Sequence, residues 1–93
     1  MRIVFIGNVE FSLHILEHIL ALGGEVVGVC TKKSSQFNAD HIDLSHLSQI
    51  HKIDSYYAAD INSEEVFAWI AARKPDLIFC IGWSQILKRH LLE

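Results

Sequence analysis

Apolar positions along the chain alternate between short continuous runs and helical stripes. Arg2 to Gly7 (RIVFIG) and Glu25 to Thr31 (EVVGVCT) are β-branched and aromatic runs of strand length with no polar alternation, as expected of strands covered on both faces. Between them Phe11, Ile15, Leu16, Ile19 and Leu22 recur at helical spacing. That predicts a helix capped by Asn8, with Glu10 at the positive end of its dipole, and closed at Gly23 and Gly24. The polar stretch from Lys32 to Asp40 reads as a loop.

Further along, Asp43 is placed to cap a second helix through Leu44, Leu47 and Ile50, and a short strand follows around Ile53 to Tyr57. Asn62 with Glu65 three residues on gives a capping-box pattern for a third helix. Val66, Phe67, Trp69 and Ile70 supply its apolar face, and Lys74 with Pro75 its end. Asp76 to Ile81 (DLIFCI) is a fourth strand, and Gln85 to Leu92 begins another helix. Strands alternating with helices imply parallel pairing and right-handed crossovers. The expected fold is therefore a doubly wound, Rossmann-like α/β sheet of order 3-2-1-4, incomplete on its carboxyl-terminal side. In that order the winding reverses between strands one and four, so Gly7 to Glu10 and Gly82 to Gln85 border the crevice where such sheets bind ligands.

Composition narrows the classes. Ninety-three residues allow one small domain, and 51% apolar with 20% charged residues suits a globular core. A formal charge of -3 offers no clustered basic surface for a phosphate backbone or an anionic membrane. No apolar run nears the roughly 20 residues of a membrane span, and Met1 leads straight into a strand with no signal-peptide layout, so a cytoplasmic location is expected. Cys30 and Cys80 each sit inside an apolar run and read as core thiols.

The turn after the first strand, Gly7-Asn8-Val9-Glu10-Phe11, has one glycine where the dinucleotide fingerprint has three. His14-Ile15-Leu16-Glu17-His18 matches the zinc-peptidase pattern H-x-x-E-H, but no motif supplies a third ligand, and these polar residues face away from the apolar stripe. No metal is expected. Glu64 and Glu65 read as first-turn dipole charges, and the serines lack a nucleophile elbow. The turn Gly82-Trp83-Ser84-Gln85-Ile86-Leu87 is more informative. It leaves a buried strand at a glycine and sets an indole and apolar side chains at the crevice, with backbone groups free to pair with a flat heterocycle.

Two segments carry a family resemblance. Met1 to Lys32 (MRIVFIGNVEFSLHILEHILALGGEVVGVCTK) is similar to the opening of the 10-formyltetrahydrofolate-dependent formyltransferases, and Lys74 to Glu93 (KPDLIFCIGWSQILKRHLLE) resembles their fourth-strand block. The resemblance implies a formyl donor, 10-formyltetrahydrofolate, whose pterin lies along Gly82, Trp83, Ser84, Gln85, Ile86 and Leu87, with Gly7, Asn8, Glu10 and Phe11 bordering the substrate. It implies attack of an acceptor amine on the formyl carbonyl, with oxyanion stabilisation and a base. The family's Asn-x-His motif and its Asp are expected downstream of Glu93, so residues 1–93 are read as the amino-terminal part of such a domain. No catalytic residue is carried over, and the chain alone is expected to be inactive.

Members specific for transfer RNA resemble Thr-Pro-Glu-Phe after the first strand and have a basic, glycine-rich loop after the second. Here those places hold Asn8-Val9-Glu10-Phe11 and Ser34 to Asp40 (SSQFNAD). This pattern implies a nucleotide-linked amino sugar as formyl acceptor, with methionyl-tRNA second and nucleic acid otherwise disfavoured. The reading from another class is a non-catalytic nucleotide- or ligand-binding α/β module. An unprotected fourth strand would leave the chain marginally stable or self-associating.

Overall fold

A computed structural model describes residues 1–32, 41–58 and 61–81. Its elements are β1 (Arg2–Ile6), α1 (Glu10–Ala21), β2 (Glu25–Thr31), α2 (Ser45–Ile50), β3 (Ser55–Tyr57), α3 (Glu64–Ala72) and β4 (Leu77–Cys80). The strands pair in parallel in the order β3-β2-β1-β4, the layout expected from the sequence. The helix expected over Gln85 to Leu92, and most of the loop expected from Lys32, lie outside the described residues.

β1 runs between two layers, which is why its sequence is apolar throughout. Val4 and Ile6 turn to one side with Cys30, Val66 and Ile70, while Ile3 and Phe5 turn to the other with Leu16, Val26, Val29 and Leu44. α3 covers the first face; α1 and α2 cover the second. The β1–β2 register slips between Ile3 and Val4, with Ile3 opposite Val26 and Val4 opposite Gly28. That irregularity lets Val26 and Val29 share one face at a spacing that an unbroken strand would put on opposite faces. Gly28 is needed on the α3 side, because a Cβ there would stand 2.7 Å from Trp69 Cη2 and 3.0 Å from Arg73 Cδ. Arg73 in turn stacks over the Trp69 ring at 4.0 Å and pairs with Asp54 at 3.1 Å.

Helix ends follow local chemistry more closely than the sequence pattern suggests. Asn8 does not cap α1. The cap position is the extended residue Val9, and Ser12 Oγ accepts from the Val9 amide at 3.4 Å. Phe11 and Leu22, both assigned to the apolar stripe, are 62% and 76% exposed; Ser12 and Leu16 are the buried positions. Gly23 adopts φ +82 and closes the helix as expected. α3 is capped by Ser63, whose Oγ accepts from the Val66 amide at 3.2 Å, one residue after the expected Asn62. Its first turn carries Glu64 and Glu65, and Phe67 is 41% exposed. Asp43 is not the cap of α2 either: Leu44 holds that position, and Asp43 just before it accepts from the Ser45 amide at 2.8 Å, while Ile50 points to solvent.

Cys30 and Cys80 both stand in register with Ile6, on either side of β1. Two strand spacings put their Cα atoms about 10 Å apart, beyond the reach of a disulfide. β4 is paired on one side by β1 among the described residues, and Leu77 to Cys80 are exposed or half-buried.

Candidate functional site

The direction of winding reverses between β1 and β4, so their carboxyl ends flank the predicted crevice. Its floor is tightly built. The Gly7 amide donates to the Cys30 carbonyl at 3.0 Å, and the Ile81 amide donates to the Ile6 carbonyl at 2.9 Å, extending both strand pairings by one bond. Ser12 Oγ donates to the Ile81 carbonyl at 2.6 Å, tying the first turn of α1 to the exit of β4. Gly7 is what permits this closeness: a Cβ there would lie 2.6 Å from Ser12 Cβ and 2.7 Å from the Ile81 oxygen. The space freed by the missing side chain is thus filled by Ser12 and Ile81.

Asn8 follows at once and is 1% exposed. Its backbone oxygen accepts from the Ile42 amide at 2.8 Å, and Val9 bridges His41. Its side-chain oxygen Oδ1 is buried with no hydrogen-bond partner among the described residues. Glu10 and Phe11 are exposed beside it on the first turn of α1. Gly7, Asn8, Glu10 and Phe11 are therefore neighbours at this edge, two buried and two in solvent. Gly82, Trp83, Ser84, Gln85, Ile86 and Leu87 lie outside the described residues.

A polar cluster at the same edge was not singled out from the sequence. Thr31 Oγ1 accepts from the Leu44 amide at 3.1 Å, and His41 Nε2 lies 2.8 Å from the Lys32 carbonyl. Tyr57 Oη donates to Asp43 Oδ2 at 2.7 Å, so its 2.9 Å contact with Ser45 requires the serine hydroxyl to donate. Burial works to raise the Asp43 carboxyl, but hydrogen bonds from Ser45 and Tyr57, with His46 nearby, hold it below its ordinary value. None of these residues belongs to a motif. The contact between α1 and the exit of β4 rests on Ser12, a small polar residue four positions before Leu16 that was not singled out from the sequence.

The arrangement offers binding groups and no activated nucleophile among the described residues. Burial pushes the Cys30 thiol up to about 12, so it stays protonated at neutral pH; burial also raises Cys80. His14 stands between Glu10 at 3.6 Å and Glu17 at 3.5 Å on the exposed face of α1, and His18 is exposed on the same helix. Among the described residues no three His, Cys, Asp or Glu side chains group as a metal site, and no helix is long and apolar enough to cross a membrane.

No family model matches the chain. Individual proteins do, over its whole length. It is 29% identical over 97 residues to a methionyl-tRNA formyltransferase of Thermotoga maritima, covering all of this chain and 31% of the relative. The corresponding enzyme of Ectopseudomonas mendocina is 31% identical over 97 residues, with the same coverage. That of Bacillus velezensis is 31% identical over 96 residues, covering 99% of this chain and 30% of the relative. The chain thus spans about a third of the length of the curated relatives it matches. Together with the parallel sheet of order 3-2-1-4, these matches show that the whole of this chain is similar to about a third of methionyl-tRNA formyltransferases from several bacteria.

Proposed function

We propose that the chain forms part of a methionyl-tRNA formyltransferase that takes its formyl group from 10-formyltetrahydrofolate. The observation that carries this reading is the match of the entire chain to relatives named for that activity. The amino-sugar acceptor expected from the missing basic loop gives way to methionyl-tRNA, since those relatives are methionyl-tRNA formyltransferases. A net charge of -3 is compatible with this. Most of a relative's length lies outside the matched segment, so contacts to a phosphate backbone need not come from these residues.

The described geometry is compatible with the folate. Ile81 is held to β1 through its amide and to Ser12 through its carbonyl, at the switch-point end of the sheet, a place that suits a flat heterocycle. When bound there, 10-formyltetrahydrofolate supplies an activated formyl carbon. The work of this chain is binding and orientation: Gly7 and Ser12 hold the floor, and Asn8, Glu10 and Phe11 line the approach. A chimera tests the reading. Residues 1–93 replace the matched segment of the Thermotoga maritima enzyme, and transfer of the formyl group to methionyl-tRNA and to a nucleotide-linked amino sugar is compared. Formylation of methionyl-tRNA above the sugar is expected; a folded chimera that formylates only the sugar overturns the acceptor, and one that binds no tetrahydrofolate analogue overturns the donor.

A further inference from the structure

Two buried side-chain atoms lack a hydrogen-bond partner among the described residues, Asn8 Oδ1 and Arg73 Nε. They differ in kind. The Arg73 guanidinium is otherwise engaged by Asp54, by the Trp69 carbonyl at 3.2 Å and by the Trp69 ring, at the corner where α3 packs on β2. Asn8 stands at the switch-point end of β1, where ligands bind in such sheets. An unpaired buried carbonyl oxygen costs about 1–3 kcal/mol, and native proteins retain such groups chiefly where a ligand, water or ion completes them.

We infer that Asn8 Oδ1 accepts a hydrogen bond from the amine N–H of the formyl acceptor. The inference rests on the reading of this crevice as a formyltransferase site. The primary amine is the donor shared by every acceptor of this reaction, so the assignment holds for an aminoacyl or a sugar amine alike. A carboxamide oxygen suits that task. It is neutral, does not take up a proton at physiological pH, and leaves the nitrogen lone pair free while fixing its direction. Asn8 is then a positioning residue for the amine and has no part in proton removal.

The test compares wild type and Asn8→Leu in the full polypeptide that carries residues 1–93. Leucine keeps the branching and removes the unpaired oxygen, but its methyls are bulkier than the carboxamide at this buried position, so a thermal melt accompanies each titration. The probes are methionyl-adenosine joined through a stable amide, its deamino counterpart, and a non-reactive tetrahydrofolate analogue. Asn8→Leu is expected to weaken methionyl-adenosine about tenfold and to leave the other two unchanged. Equal losses for the amino and deamino probes, or no loss at all, overturn the inference while leaving the formyltransferase reading intact. Failure of the wild type to bind both the folate and methionyl probes overturns both. If Asn8→Leu does not fold, Asn8→Ala is judged on the same ratio of amino to deamino affinity, which a purely structural role would not move.

Discussion

At the amino end of the sheet, Arg2 closes on the carbonyl of Arg73 through Nε at 2.9 Å and Nη2 at 2.6 Å. Its backbone exchanges bonds of 2.8 Å each way with Asp76. At the carboxyl end, Ser12 and Ile81 meet over a glycine, and the next residue buries an oxygen with no partner among the described residues. One end is a tie between the chain's first strand and its last described one. The other is a tight floor beneath an unfinished polar site. Each end holds a buried atom without a partner among the described residues. Arg73 Nε, however, belongs to a guanidinium already engaged by Asp54, the Trp69 carbonyl and the Trp69 ring, whereas Asn8 Oδ1 stands at the switch-point end, so binding is to be sought there.

The largest effect that would break this contrast comes from Gly7. In Gly7→Ala the new methyl meets the Ile81 backbone oxygen at 2.7 Å, which a side-chain rotation cannot relieve, and Ser12 besides. A loss of about 3 kcal/mol is expected, the upper range for overpacking. Adding Ser12→Gly should recover only part of it, because the carbonyl contact persists. Denaturant melts of the single and double variants check this; a neutral Gly7→Ala would show that the floor is looser than described.

Arg2 is the matching probe of the amino end. Its side chain is largely solvated, with an ion pair to Glu25 as long as 3.9 Å, so the two bonds to the Arg73 carbonyl are its main contribution. Arg2→Ala is expected to cost about 1 kcal/mol and to leave ligand affinity at the opposite end unchanged. Arg2→Lys should recover less than half, since one ammonium does not reproduce the planar pair of donors. A change in affinity for the folate or methionyl probes in Arg2→Ala would erase the separation between the two ends.

How much of this was legible in the sequence follows the same division. The strands, their order and the helix over residues 64–72 were readable because burial on both faces of a parallel sheet writes itself as unbroken apolar runs. Helix starts were readable only to within a residue. Asn8 and Asn62 have the chemistry of caps, but the backbone places Val9 and Ser63 at those positions. Phe11 fitted the stripe by spacing and yet faces solvent, because the residue that must tuck against the sheet is Ser12, chosen by its bond to Ile81 rather than by hydropathy. The Thr31, Asp43, Ser45 and Tyr57 contacts join separate segments of the chain, a kind of pairing that no local pattern announces.

The smallest expected effect sharpens the contrast within the carboxyl end itself, where the Asp43 cluster is fully paired beside the unpaired Asn8. Hydrogen bonds outweigh burial and lower the Asp43 pKa in the fold. An acid whose folded pKa lies below its unfolded value stabilises the protein above the ordinary carboxylate pKa of about 3.9, and that contribution disappears as pH falls through the folded value. Tyr57→Phe removes one of the lowering bonds at a half-exposed hydroxyl. Its deficit at pH 7 should be about 0.5 kcal/mol and should shrink in acid, as the pH falls from the ordinary carboxylate value through the lowered folded value and Asp43 becomes protonated in both proteins. Denaturation midpoints of wild type and variant at neutral pH and in acid decide it. A deficit that does not change with pH would assign the bond's value to the Ser45 contact alone, which carries no titrating charge.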